Sequence, residues 1–152
     1  MQNKYYWGNT DTSVSFCEKK YDDIFWIAEY NNTISAIPYV LIGLFFLFTK
    51  IKKIGVCLIF LGFSTMLMHG TIRYYGQWMD EIGLLVLSFE SLKQLDKRLK
   101  YIFLPPILGI YLIFNENFVV FFTTFTTLQI IIVYKVYNKN KSNIQKIFTS
   151  LY

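Results

Sequence analysis

The sequence predicts an all-α fold: a polytopic transmembrane helix bundle of about five spans, forming a single membrane domain over residues 1–152. Three observations carry that expectation. Apolar residues make up 54% of the chain and aromatic residues 20%, while charged residues are only 16%, a balance foreign to soluble domains of this length. Apolar runs of near-spanning length recur along the chain. The lysines collect between those runs rather than within them. Two cysteines, Cys17 near the start and Cys57 inside an apolar run, do not suggest a disulfide framework. Residues 1–29 lack the basic start and compact apolar core of a cleavable signal peptide, so the first span is expected to direct insertion itself.

Residues 1–25 are polar with interleaved aromatics and read as a cap over the first spans. The first span is placed at about 26–49, entered through Trp26 and closed by Lys50, Lys52 and Lys53. It contains Pro38, which membrane helices tolerate better than soluble ones. A second span, about 54–72, is long enough to cross the hydrocarbon. A short aromatic turn from Arg73 to Trp78 leads to a third, about 79–92, whose Ser88 and Glu90 are expected to face other helices rather than lipid. The fourth, about 101–114, is short and contains Pro105 and Pro106; the fifth, about 118–137, is the clearest after the second. A polar tail, 138–152, ends the sequence.

Loop charge gives an orientation. Basic residues concentrate in three segments, around Lys50–Lys53, Lys93–Lys100 and Lys135–Lys146. The alternate segments hold only Lys4, Lys19, Lys20 and Arg73, with most of the acids. By the positive-inside rule the N-terminus is non-cytoplasmic and the C-terminal tail cytoplasmic; the expected location, which loop charge does not determine, is an endomembrane such as the ER or Golgi. The basic loops therefore imply no nucleic-acid partner. A channel or transporter receives little support from five spans without a visible internal repeat.

The polar residues that interrupt the hydrocarbon are the functional candidates. Thr65 precedes His69, the chain's one histidine, by four residues, so both lie on one helix face. Asp80 and Glu81 follow at a short distance. In the five-span topology Glu18, Asp22, Asp23, Glu29, His69, Asp80 and Glu81 share one membrane face. Plainer roles stand beside this one: Asp80 and Glu81 as acids at a helix N-terminus, Thr65 bonded to its own backbone with Ser64 the equivalent hydroxyl, Glu18 and Glu29 as surface carboxylates, and Glu90 as a buried helix contact. Asn31-Asn32-Thr33 is a formal glycosylation sequon close to the membrane, read as coincidence.

Three stretches together resemble the alkaline ceramidase family of membrane-embedded amidohydrolases. They are Tyr6-Trp7-Gly8 followed by Ser13 to Glu18; Trp26 to Ser35; and Thr65 to Tyr74 followed by Gln77 to Glu81. The resemblance is close over about residues 5–90 and rests on hydropathy beyond. It implies the first part of a seven-helix fold and zinc-dependent cleavage of the ceramide amide to sphingosine and fatty acid. His69 would then be a zinc ligand, Thr65 the hydroxyl that polarises the substrate amide, and Asp80 the carboxylate that handles the zinc-bound water.

The resemblance also implies what the chain lacks. The family's remaining zinc ligands come from an HxxxH motif in its last helix, and no second histidine is present. A calcium site in the family's N-terminal segment corresponds here to Glu18 and Glu29, but Ser15 stands where an aspartate is usual and Lys20 where an asparagine is usual. Lys20 is expected to take the cation's place by pairing with Glu18 or Glu29, unless Asp22 or Asp23 moves in. The alternative function is therefore an inactive ceramidase-like membrane protein that binds lipid or a partner. A second polypeptide supplying the missing helices would restore the enzyme.

Overall fold

The structure, a computed structural model, describes the backbone of residues 5–149 and the side chains of residues 5–140. Lys4 and the side chains of Lys141 and Lys146 lie outside the described residues, as do those of the apolar residues that close the tail. Among the described residues six α-helices follow a cap of turns and bends: α1 (Tyr30–Ser35), α2 (Ile37–Leu47), α3 (Lys52–Thr71), α4 (Tyr74–Leu95), α5 (Leu104–Ile113) and α6 (Phe118–Thr149). A 3-10 turn, Tyr101–Phe103, leads into α5.

Among the described residues three stretches are long and apolar enough to cross a membrane: Tyr30–Leu47, Lys52–Thr71 and Phe118–Asn140. They coincide with the first, second and fifth expected spans. The fourth expected span is a shorter apolar helix, Tyr101–Ile113. The third expected span is α4, which has 22 residues but carries Asp80, Glu81, Glu90 and Lys93 along its length.

Two boundaries differ from the sequence expectation. Helix α4 begins at Tyr74 rather than 79, because the cap supplies a start that local sequence does not: Asp11 Oδ1 accepts the Tyr74 backbone N–H at 2.5 Å. The expected aromatic turn shrinks to Ile72 and Arg73. Ile72, at φ 50°, closes α3 by donating its N–H to Met68 O at 2.7 Å. At the other end α6 runs 32 residues, through most of the expected tail, since neither proline nor glycine interrupts 118–149. Pro38 sits in the first turn of α2, and the prolines of α5 likewise fall at its start, where no helical hydrogen bond is lost.

Glycines let the first helices close up. A Cβ on Gly43 would lie 2.8 Å from Gly55 O, and one on Gly55 2.7 Å from Gly43 O, so α2 and α3 touch backbone to backbone. A Cβ on Gly76 would lie 2.7 Å from Met68 Cα, which sets α4 equally close to α3 beside His69. A second centre of packing joins α4, α5 and α6 through Leu85, Leu92, Tyr111, Phe121 and Leu128. Ser88, as expected, faces a helix: its hydroxyl receives Gln129 Nε2 from α6 at 2.8 Å. Glu90 is buried as well. Cys17 and Cys57 are both free.

Candidate functional site

The cap is laced onto the ends of α3 and α4. Ala28 N–H donates to Gly70 O at 2.9 Å and Glu29 N–H to His69 O at 3.0 Å. Arg73 pairs with Asp11 at 2.9 Å and donates to Asn9 O at 2.7 Å. Ser13 donates its N–H to Gln77 Oε1 at 2.8 Å. Segments distant in sequence thus converge on the last turn of α3 and the first turns of α4.

Glu29 is no surface carboxylate. Its side chain is fully buried, 0% exposed, and three groups meet it. Lys20 Nζ donates to Oε1, Asn32 Nδ2 donates to Oε2 at 3.0 Å, and His69 Nδ1 lies 2.6 Å from Oε2. Lys20 also donates to Phe16 O at 3.0 Å. Of the two partners expected for Lys20, the structure places it on Glu29. Burial lowers the Lys20 pKa, which the nearby negative charge of Glu18 partly offsets.

Glu18 closes the start of α1 instead. It accepts the N–H of Asn31 at 2.7 Å and of Asn32 at 3.0 Å, and Asn31 Nδ2 at 3.1 Å. Against the desolvation of partial burial, these hydrogen bonds hold its carboxyl below the ordinary glutamate value. Asp22 and Asp23 do not join the site: both are exposed, and Asp22 lies 4.0 Å from Lys19.

On the facing helices Thr65 Oγ1 donates to Asp80 Oδ1. The backbone-bonded hydroxyl is that of Ser64, which donates to Leu61 O at 2.9 Å. Because α4 starts at Tyr74, Asp80 lies beyond the first turn and does not cap the helix. His69, Thr65 and Asp80 therefore gather where α3 and α4 touch, with Phe16 of the cap edge-on to the imidazole at 4.7 Å between ring centres. Glu81 belongs elsewhere. It is buried facing α5 and accepts Gln77 Nε2 and Tyr111 Oη, each at 2.7 Å.

Sequence reasoning gave no role to Gln77, Tyr111 or Phe16. Gln77 stood within a stretch that carries the resemblance, but nothing local marked Tyr111 as the partner of Glu81 across the bundle. An apolar cleft of about 330 Å³ lies between the cap and α3, lined by Trp7, Trp26, Phe63, Met66, Leu67 and Gly70 among others, with none of Thr65, His69 and Asp80 in its lining.

The sequence match to known proteins extends over the same elements. A family model described as Ceramidase matches residues 8–150. The chain belongs to the ceramidase family. The match runs well past the stretches that carry the resemblance, into α5 and α6. An alkaline ceramidase of Arabidopsis thaliana is 29% identical over 84 residues, covering 50% of this chain and 33% of the relative. An alkaline ceramidase of Saccharomyces cerevisiae is 26% identical over 87 residues, covering 52% of this chain and 28% of the relative. The matched stretch thus spans about a third of these curated relatives. A membrane protein of this family is what the helices and the match together describe.

The donor set does not match the metals that the resemblance implies. Among the described residues no three His, Cys, Asp or Glu side chains cluster as a metal site. His69 is a single nitrogen donor, while a catalytic zinc takes about three protein ligands. The described residues do not by themselves fit zinc. Nor do Glu18 and Glu29 fit calcium: their oxygens are taken by N–H donors, and one of those donors is an ammonium.

Proposed function

We propose that this chain carries the α3–α4 half of a ceramidase-type amidohydrolase centre, acting on the amide of a ceramide-class membrane lipid. The observation that carries the reading is the pairing of Thr65 with Asp80 across the α3–α4 contact, one turn from His69. Asp80 is the proton-transfer group: it takes a proton from the water that attacks the amide carbonyl and returns it to the departing sphingoid amine. Fatty acid and amine leave, so atoms balance. Thr65 donates its proton to Asp80 and orients that carboxylate. In that state its hydroxyl is committed, so polarising the substrate carbonyl requires it to rotate away. The apolar cleft beside Met66, Leu67 and Gly70 suits an acyl chain. The remaining metal ligands come from outside the described residues, from a further segment or a second polypeptide. Loop charge supports a cytoplasmic face at Lys50–Lys53 and Lys93–Lys100, with the site on the opposite, non-cytoplasmic side of an endomembrane.

A second reading is an inactive ceramidase-like protein that binds lipid through the cleft. The incomplete donor set among the described residues favours it. The test is to isolate the tagged protein from its native membranes in mild detergent and follow fatty-acid release from labelled ceramide. Release that is lost in Asp80→Asn supports the hydrolase. Ceramide binding without release, equal in both forms, supports the second reading.

A further inference from the structure

The carboxylate oxygens of Glu18 and Glu29 are occupied from within the chain. Glu29 is completely buried and holds Lys20, Asn32 and His69. Both Glu18 oxygens are spent on Asn31 and Asn32. A buried carboxylate needs a compensating positive charge and a full set of donors. Here the charge is Lys20, and it is held: its ammonium is tied to Phe16 O as well as to Glu29. The consequence reaches the site, because the other oxygen of Glu29 stands 2.6 Å from His69 Nδ1. A carboxylate can only accept, so the proton lies on Nδ1 and the Nε2 lone pair is left free.

We infer that Lys20 is a tethered counter-cation that positions His69 through Glu29, fixing the Nδ1–H tautomer without a free divalent cation. Lys20 and Glu29 are positioning residues: they act through the imidazole. The inference rests on His69 being the nitrogen donor of the proposed site. Its readout is the state of the ring rather than turnover, so its failure is separable from failure of the hydrolase reading.

The chain's one histidine makes the experiment direct, since selective ¹⁵N-histidine labelling reports a single ring. In the full chain, in detergent, the expected spectrum shows a protonated Nδ1 and an unprotonated Nε2, unchanged by excess calcium chloride or EGTA. Lys20→Arg should keep that tautomer, and Lys20→Met should reduce its population. A wild-type ring protonated on Nε2 would overturn the inference. So would a tautomer or thermal midpoint that follows calcium, or a Lys20→Met ring identical to wild type. Should Lys20→Met fail to fold, the wild-type tautomer and its indifference to calcium still decide.

Discussion

Glu29 Oε2 and His69 Nδ1 stand 2.6 Å apart although 40 residues separate them in the chain. That contact joins the N-terminal cap to the end of α3, and the adjacent backbone pair, Glu29 N–H to His69 O, doubles it. The cap is therefore part of the site and not a cover over it.

The Thr65–Asp80 pair should behave as a unit. Asp80→Asn in the native assembly is expected to lower hydrolysis by about 10²–10⁴-fold, the usual contribution of proton transfer. Thr65→Val should lower it less, and Thr65→Ser should restore most of it by keeping the hydroxyl. Losses that multiply independently in the double variant would contradict a shared role.

Close approach at Gly76 should be needed for the site as well as the fold. A Cβ there meets the Met68 backbone, which cannot yield as a side chain would. Gly76→Ala is expected to cost about 1–3 kcal/mol, the range for overpacking, read from denaturation in detergent. It should also weaken the Thr65–Asp80 coupling, since it pushes α4 away from α3.

Tyr111→Phe removes one of the two donors that Glu81 holds inside the bundle. Leaving a buried acceptor short of a partner costs about 1–3 kcal/mol. Hydrolysis per folded molecule should be unchanged, because the Glu81 carboxylate is bonded to Gln77 and Tyr111 and not to Thr65. A specific loss of turnover with unchanged stability would contradict that separation.

Acid should loosen the cap through Glu18. Its pKa is lowered in the folded state, so its stabilisation is complete above the ordinary value of 4.5 and is lost as pH falls below that through the folded value. Glu18→Gln lacks this dependence. The stability gap between wild type and Glu18→Gln should therefore be present at neutral pH and close below 4.5. A gap that widens on acidification would contradict the sign.

Much of the fold was legible because it rests on hydropathy and length, which act locally. The helix at Lys52–Thr71 and the apolar first part of Phe118–Thr149 were visible for that reason. The start of α4 was not, because its N-terminal cap comes from Asp11, 63 residues earlier. For the site, the Thr65–His69 spacing was legible from helix geometry, and Lys20 could be matched to an acid from charge alone. Which acid it would choose depended on burial: Glu29 lies under the cap and Glu18 at its edge, and no local pattern distinguishes them. Tyr111 stayed hidden because its partner Glu81 is 30 residues away across a helix contact.

In the proposed function His69 is one ligand of a metal centre whose other ligands lie outside the described residues. The most direct test is zinc content, measured on the chain purified alone and on the protein isolated from its native membranes. The expected result is zinc well below one per chain in the first and near one in the second, lost in His69→Ala. Stoichiometric zinc in the chain purified alone, or zinc in the native protein that survives His69→Ala, would contradict it.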